Sequence, residues 1–242
     1  MNGDRSEILY RRFRDRFRME PTSCQDALFR EVASFSVCDD ADILVVNGYA
    51  GTGKTSAMAA VTAALRDFGV KSVLLAPTGR AAKVLSSVSG RPAFTIHKHI
   101  YRQKSVGADG YGSFSLAPNK SVKTLFIVDE VSLIGIDSAQ QGSSTSLFGT
   151  GNLLEDLVAF VRSGDDCRLV LVGDAAQLPP VGMEASPALS HEYMDGFGGV
   201  RYSTLTTVVR QERESGILRN ATMLRERISA SGPDEIFDDI RF

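Results

Sequence analysis

The residues Gly48-Tyr49-Ala50-Gly51-Thr52-Gly53-Lys54-Thr55 fit the spacing G-x-x-x-x-G-K-[ST] at every fixed position. Glycines let a backbone curl until successive N–H groups point at one anion. A helix starting at the end of the segment adds the positive end of its macrodipole. The segment is therefore a phosphate cradle in waiting. Gly48, Ala50, Gly51, Thr52, Gly53, Lys54 and Thr55 are the expected contacts to ATP. Lys54 is expected at the β- and γ-phosphates, and the Thr55 hydroxyl on Mg²⁺. An ordinary glycine turn has no need of Lys-Thr at this offset.

Two further clusters complete a phosphoryl-transfer reading. Asp129 and Glu130 follow the apolar run Leu125-Phe126-Ile127-Val128. Ligands of parallel sheets bind beyond the carboxyl ends of the strands, so both carboxylates can face the cradle. Asp129 is expected to hold Mg²⁺, mainly through water, and Glu130 to take the proton of an attacking water. An Asp-Glu pair alone could equally cap a following helix; beside an intact cradle it gains meaning. Gln177, in Gly173-Asp174-Ala175-Ala176-Gln177, carries a neutral amide able to touch both the γ-phosphate and the attacking water. Read alone, G-D-x-x-Q also fits a turn.

These groups need elements to position them. Ile43–Val46, Val73–Ala76, Leu125–Val128 and Leu169–Val172 are short, continuous, branched-residue runs, the pattern of strands buried on both faces. Helical patterns at 55–66, 79–88 and 151–162 alternate with them, the first stopping at Phe68-Gly69. The expected fold class is α/β: a parallel sheet with helices on both faces. Upstream, residues 8–18 set Phe13 and Phe17 on one helical face among arginines. Pro21-Thr22-Ser23 supplies a turn and cap for a second helix from Gln25 to Phe35. Residues 104–121 are Gly/Ser-rich and fit a hairpin or a mobile insertion. Residues 138–151 read as a polar loop.

Composition sets the outer limits. The 242 residues are 43% hydrophobic and 23% charged, ordinary for a globular chain. They contain no apolar run long enough for a membrane span and no apolar signal core, so a cytoplasmic protein without a membrane partner is expected. Cys24, Cys38 and Cys167 are scattered and read as small buried apolar residues. His97 and His99 lie two apart without a third ligand, which argues against a metal site. A net charge of -2 does not advertise nucleic-acid binding; any such contact must come from a local patch.

Taken together the motifs resemble superfamily 1 (1B) DNA helicases, specifically the RecD/Dda-like, 5′-to-3′ branch. The likeness rests on GYAGTGKT, on Ala76-Pro77-Thr78-Gly79-Arg80-Ala81-Ala82, and on Thr95-Ile96-His97. It continues through IVDEVSL at 127–133, GDAAQLPPVG at 173–182, Val209-Arg210-Gln211 and Ile217-Leu218-Arg219-Asn220-Ala221. It implies a P-loop NTPase (RecA-like) motor domain using ATP and Mg²⁺ on single-stranded DNA. Gln25 would recognise adenine, and Pro77, Thr78 and Arg80 would lie on the DNA track with Thr95 and His97 near it. Arg210 would approach the γ-phosphate. Plain readings stand beside these: a surface glutamine, solvated arginines at 80 and 210, and a core or capping histidine. The resemblance further implies one RecA-like domain over 1–242: a helical segment at 1–40, a P-loop core at 41–205, and at 206–242 the start of a connection to a second RecA-like domain absent from this sequence. An inserted wedge at 104–121 is a further implication. Two alternatives stay open, a P-loop ATPase with another task, such as a loader or kinase, and a non-hydrolysing nucleotide-binding module.

Overall fold

The computed structural model describes residues 2–106, 112–136 and 148–209. A six-stranded, all-parallel sheet runs β3-β2-β6-β7-β1-β8. Its strands are β1 (Ile43–Gly48), β2 (Lys71–Ala76), β3 (Ala93–Thr95), β6 (Thr124–Val128), β7 (Arg168–Gly173) and β8 (Val200–Leu205). A separate antiparallel hairpin joins β4 (Tyr101–Val106) to β5 (Gly112–Leu116). The helices are α1 (Asn2–Arg16), α2 (Ser23–Phe35), α3 (Lys54–Asp67), α4 (Gly79–Ser89), α5 (Ile96–Ile100), α6 (Leu153–Arg162) and α7 (His191–Asp195).

Alternation along each strand explains why both faces are covered. Leu44 and Val46 of β1, Leu125 and Ile127 of β6, and Val170 and Val172 of β7 join Phe13, Phe29 and Met58 in one core. Ile43, Val45, Phe126, Val128, Leu169 and Leu171 point the other way, onto Leu157 and Phe160 of α6. Every residue of β6 is buried, the signature of an interior strand covered on both faces. Phe13 and Phe17 pack on Phe29, the latter edge-on at 5.3 Å between ring centres, so α1 is anchored to α2 by aromatics. The arginines around them stay outside, and Arg11, Arg14 and Arg16 pair with acids.

Local signals set the ends of the helices. Thr22 caps α2, accepting from the Gln25 amide, while the Gln25 side chain accepts from the Thr22 amide in a reciprocal capping box. Gly69 takes φ 69° just past α3, a left-handed stop that costs glycine little. Asn152 caps α6, which starts at Leu153 rather than 151.

The sequence pattern leaves two strands unannounced. β3 is three residues long, too short to show a period. β8 (VRYSTL) is an edge strand carrying Arg201 and Tyr202, and its half-buried residues dilute any apolar run. The hairpin begins at Tyr101, ahead of the Gly/Ser-rich start at 104, and its tip at 107–111 lies outside the described residues. Most of the 138–151 loop, the 210–242 part of the proposed connection, and Arg210 itself also lie outside them.

Candidate nucleotide site

Strand β1 delivers the phosphate cradle. Its neighbours β7 and β8 fix it on both sides, with Asn47 opposite Gly173 and Gly48 opposite Leu205. Gly51 (φ 81°) and Gly53 (φ 79°) then take left-handed conformations, and α3 begins at Lys54. A Cβ on Gly53 would sit 2.6 Å from Gln25 Nε2, so glycine is demanded there by space as well as by φ. Thr52 is fully buried, its hydroxyl donating to the Tyr49 carbonyl at 2.8 Å. Lys54 Nζ donates to the carbonyls of Gly48 and Tyr49, holding the loop closed around its own cation. Ala50 is exposed at the crest.

Gln25 reaches the loop from α2. Its Oε1 accepts from the Thr22 amide at 3.0 Å, and its Nε2 donates to the Thr52 carbonyl at 2.9 Å. The amide is 1% exposed and bridges a helix cap to the phosphate loop.

The carboxylates arrive from β6. The Thr55 hydroxyl donates to Asp129 Oδ2 at 2.8 Å, and Asp129 Oδ1 accepts from the Glu130 amide at 3.0 Å. Burial pushes the Asp129 carboxyl above its ordinary range, against the lowering pull of Thr55, the Glu130 amide and Lys54. Glu130 is pushed up too, first by burial and then by the Asp129 charge. Its backbone is left-handed, φ 58°, a conformation that costs a non-glycine residue on the order of 1 kcal/mol. Strain of this kind at a strand end turns the side chain out of the regular pleat.

Gln177 completes the cluster. Its Oε1 accepts from the Ser132 hydroxyl at 2.9 Å, and its hydrogen bond to Glu130 partly offsets the raised carboxyl. The turn carrying it is built by residues with no assigned role in the sequence reading. Asn47 Oδ1 accepts from the Ala175 amide and Asp174 Oδ1 from the Ala176 amide. Asp174 is fully buried, and its Oδ2 has no hydrogen-bond partner among the described residues. The G-D pair before Ala175 was the available signal. Asn47, a polar residue ending an apolar strand, was another.

The chemistry of the donors fits Mg²⁺. Thr55 and Asp129 are hard oxygen ligands already adjacent. Among the described residues no group of three or more His, Cys, Asp or Glu could hold a metal alone. Mg²⁺ is typically bound through one or two carboxylates plus substrate phosphates.

The residues expected on a DNA track share the carboxyl edge of the sheet, where Ala76 lies opposite Thr95. Pro77 is half-buried, while Thr78 and Arg80 are exposed, Thr78 capping α4 through the Ala81 amide. Thr95 caps α5 through the Lys98 amide. His97 is half-buried, its ring edge-on to Phe148 at 5.2 Å and near Tyr101 at 5.6 Å. Val209, just before Arg210, donates its amide to the Gly51 carbonyl at 2.9 Å.

The cysteines need one correction: only Cys167 is buried, and Cys24 and Cys38 are half-buried. Burial alone would raise the Cys24 thiol, but hydrogen bonds from Thr207 and Thr22 outweigh it and bring it to about 7.

Comparison with known proteins supplies the wider frame. A family model described as AAA domain matches residues 23–144. The ATP-dependent RecD2 DNA helicase of Deinococcus radiodurans is 36% identical over 139 residues, 57% of this chain and 16% of that protein. An uncharacterized protein of Methanocaldococcus jannaschii is 29% identical over 149 residues, 57% of this chain and 11% of its own length. The Pif1 helicase structure from Candida albicans superposes with a TM-score of 0.54 at 20% identity, covering 90% of this chain and 46% of that one. The chain thus spans less than half of each of these proteins. It belongs to the AAA domain family, and its parallel sheet with helices on both faces has the P-loop NTPase fold seen in that solved structure.

Proposed function

We propose that this chain is the ATP-binding motor domain of an ATP-dependent 5′-to-3′ DNA helicase, binding Mg-ATP and single-stranded DNA from a cytoplasmic location. The observation that carries the reading is the grouping of Lys54, Thr55, Asp129, Glu130 and Gln177 around one glycine-turned loop. Each has a role. The loop amides and Lys54 take the phosphates, and Thr55 and Asp129 hold Mg²⁺, which supplies charge neutralisation on the phosphate oxygens. Glu130, its carboxyl raised by burial and Asp129, accepts a proton from water as that water attacks the γ-phosphate. Gln177, held by Ser132, orients the same water. Gln25 lies on the adenine side, Arg210 supplies a cation to the γ-phosphate, and Pro77, Thr78, Arg80, Thr95 and His97 line the strand's path.

The reading includes a partner, a second RecA-like domain of a longer protein, in keeping with the small share of the relatives that this chain spans. Stepping along DNA requires two bodies that close and open around ATP. That second domain would bring a further arginine to the γ-phosphate beside Arg210; an arginine finger is worth about 10³–10⁵ in rate, so hydrolysis by one domain alone is slow. No helix among the described residues is long and apolar enough to cross a membrane.

The test uses a fluorescent ATP analogue and phosphate release. Lys54→Ala is expected to abolish binding, while Glu130→Gln keeps it and loses hydrolysis; equal affinity in Lys54→Ala overturns the site. On a 5′-tailed duplex the isolated chain is expected to bind ATP without separating strands. ATP-driven unwinding by this chain alone overturns the two-domain mechanism.

A further inference from the structure

A second polar surface lies away from the cradle, at the amino-terminal end of β2 and the base of the hairpin. There a groove of about 500 Å³ is lined by Lys71, Arg91, His99, Arg102 and Lys120, with Ser72, Asn119 and Ser121 between them and no Asp or Glu. β2 is six residues long, and at roughly 3.3 Å per residue its start stands some 17–20 Å from the carboxyl edge where Pro77 and Thr78 follow. The start of the groove thus lies away from the expected track, while Phe94, opposite Leu75 and one residue before Thr95, stands between the two.

Three features set it apart. The chain's net charge is -2, and its ion pairs engage arginines of α1, α2, α6, β7 and β8. Among the described residues no ion pair reaches Lys71, Arg91, Arg102 or Lys120, and Arg102 donates only to the carbonyls of Lys98 and Tyr101. Arg91 is half-buried and donates only to neutral oxygens, the Thr62 carbonyl at 3.2 Å and the hydroxyl and carbonyl of Ser72. Burial and the nearby Arg66 charge lower its proton affinity, the mark of a cation without a counter-charge. Finally, Phe94 on edge strand β3 is 40% exposed, its ring stacked on His99 at 6.2 Å with 27° between planes.

We infer that this groove binds the sugar–phosphate backbone of single-stranded DNA, with a base stacked on Phe94. The inference rests on the reading of the chain as a DNA-acting domain and adds a second contact surface to it. Unpaired cations supply the phosphate contacts, and neutral hydroxyls and amides fill between them. An accessible aromatic face favours nucleic acid over an acidic peptide, and an unstacked strand over a duplex, whose bases are already stacked.

The test titrates the 242-residue chain, without nucleotide, into a short fluorescein-labelled oligothymidylate at several salt concentrations. Each phosphate contact contributes about 0.7 to the salt slope for single strands, so Arg102→Ala with Lys120→Ala should lower its magnitude by about 1.4. Phe94→Leu should weaken binding about 5- to 150-fold, the range expected for one lost base stack, whereas Phe94→Tyr retains it. Binding of a fluorescent ATP analogue, read on the same samples, should be unchanged in all of these variants. An unchanged slope and unchanged affinity overturn the groove. So does failure of wild type to bind the oligonucleotide, or displacement by polyglutamate as effective as by unlabelled oligothymidylate, which would point to an acidic protein partner. Loss of ATP binding by wild type would strike the proposed function instead, leaving the groove to be judged on its salt slope.

Discussion

Replacing Gln25 with alanine separates two roles that one amide can play. The side chain spans from the Thr22 amide to the Thr52 carbonyl, and both ends are engaged. Alanine keeps the Thr22 hydroxyl cap, since that bond comes from the backbone amide of residue 25. It strands the carbonyl of Thr52, a residue with no exposed surface, at a cost of about 1–3 kcal/mol. Loss of the reciprocal half of the capping box adds on the order of 0.5–1 kcal/mol. The total, about 1.5–4 kcal/mol, corresponds to a fall of about 3–16 °C in Tm at ~2–4 °C per kcal/mol for a domain of this size. The assay is thermal unfolding of the nucleotide-free protein, followed by titration with adenine and guanine nucleotide analogues. A strut that shapes the loop predicts a lower Tm and parallel weakening of both nucleotides. An unchanged Tm with loss of adenine preference alone refutes the strut.

Gly53→Ala should abolish nucleotide binding and lower Tm, because the new Cβ meets Gln25 Nε2 at 2.6 Å and φ is 79°; a fluorescent-analogue titration with wild-type affinity contradicts this. Asp129 has a raised folded-state pKa, so its ionised form costs stability; its favourable contribution is full below the unfolded value near 3.9 and lost as pH rises through the folded one. Asp129→Asn should therefore melt higher than wild type at neutral pH without nucleotide, with the gap closing on acidification, while Mg²⁺-dependent ATP affinity falls. A gap that widens toward acid would show the opposite linkage. Removing 106–117 from a complete, unwinding-competent protein should spare DNA-stimulated ATPase and slow unwinding, if the hairpin acts as a wedge; unchanged unwinding discards the wedge.

The parts of this protein visible in sequence are those whose physics is local. The cradle declares itself because glycine conformations, a lysine and a hydroxyl must follow one another along the chain. β1, β2, β6 and β7 are legible because interior strands are apolar on both faces. Edge strands escape: β8 has a wet side that admits Arg201, and β3 has too few residues for a pattern. Partnerships made only by folding escape as well. Gln25 meets Thr52 across 27 positions and Ser132 meets Gln177 across 45. The buried Asp174, the Asn47 bond to the Ala175 amide and the cation groove beside Phe94 belong to the same class. Net charge could not reveal that groove, since acids paired with arginines elsewhere hide it in the sum.

The amide of Val209 on the Gly51 carbonyl and that of Tyr49 on the Leu205 carbonyl stitch the phosphate loop to the segment leaving β8 through main-chain atoms alone. Such a seam is written in no side chain. Thr206, Thr207 and Val208 can drift in sequence without unpicking it, and an alanine scan through 205–209 would pass over it in silence. Proline is the one residue able to cut it, since at 209 it removes the single N–H on which the stitch to Gly51 depends. Val209→Pro thus becomes a substitution of the chain's fabric, one that tells whether the loop and the segment beyond it share their movements.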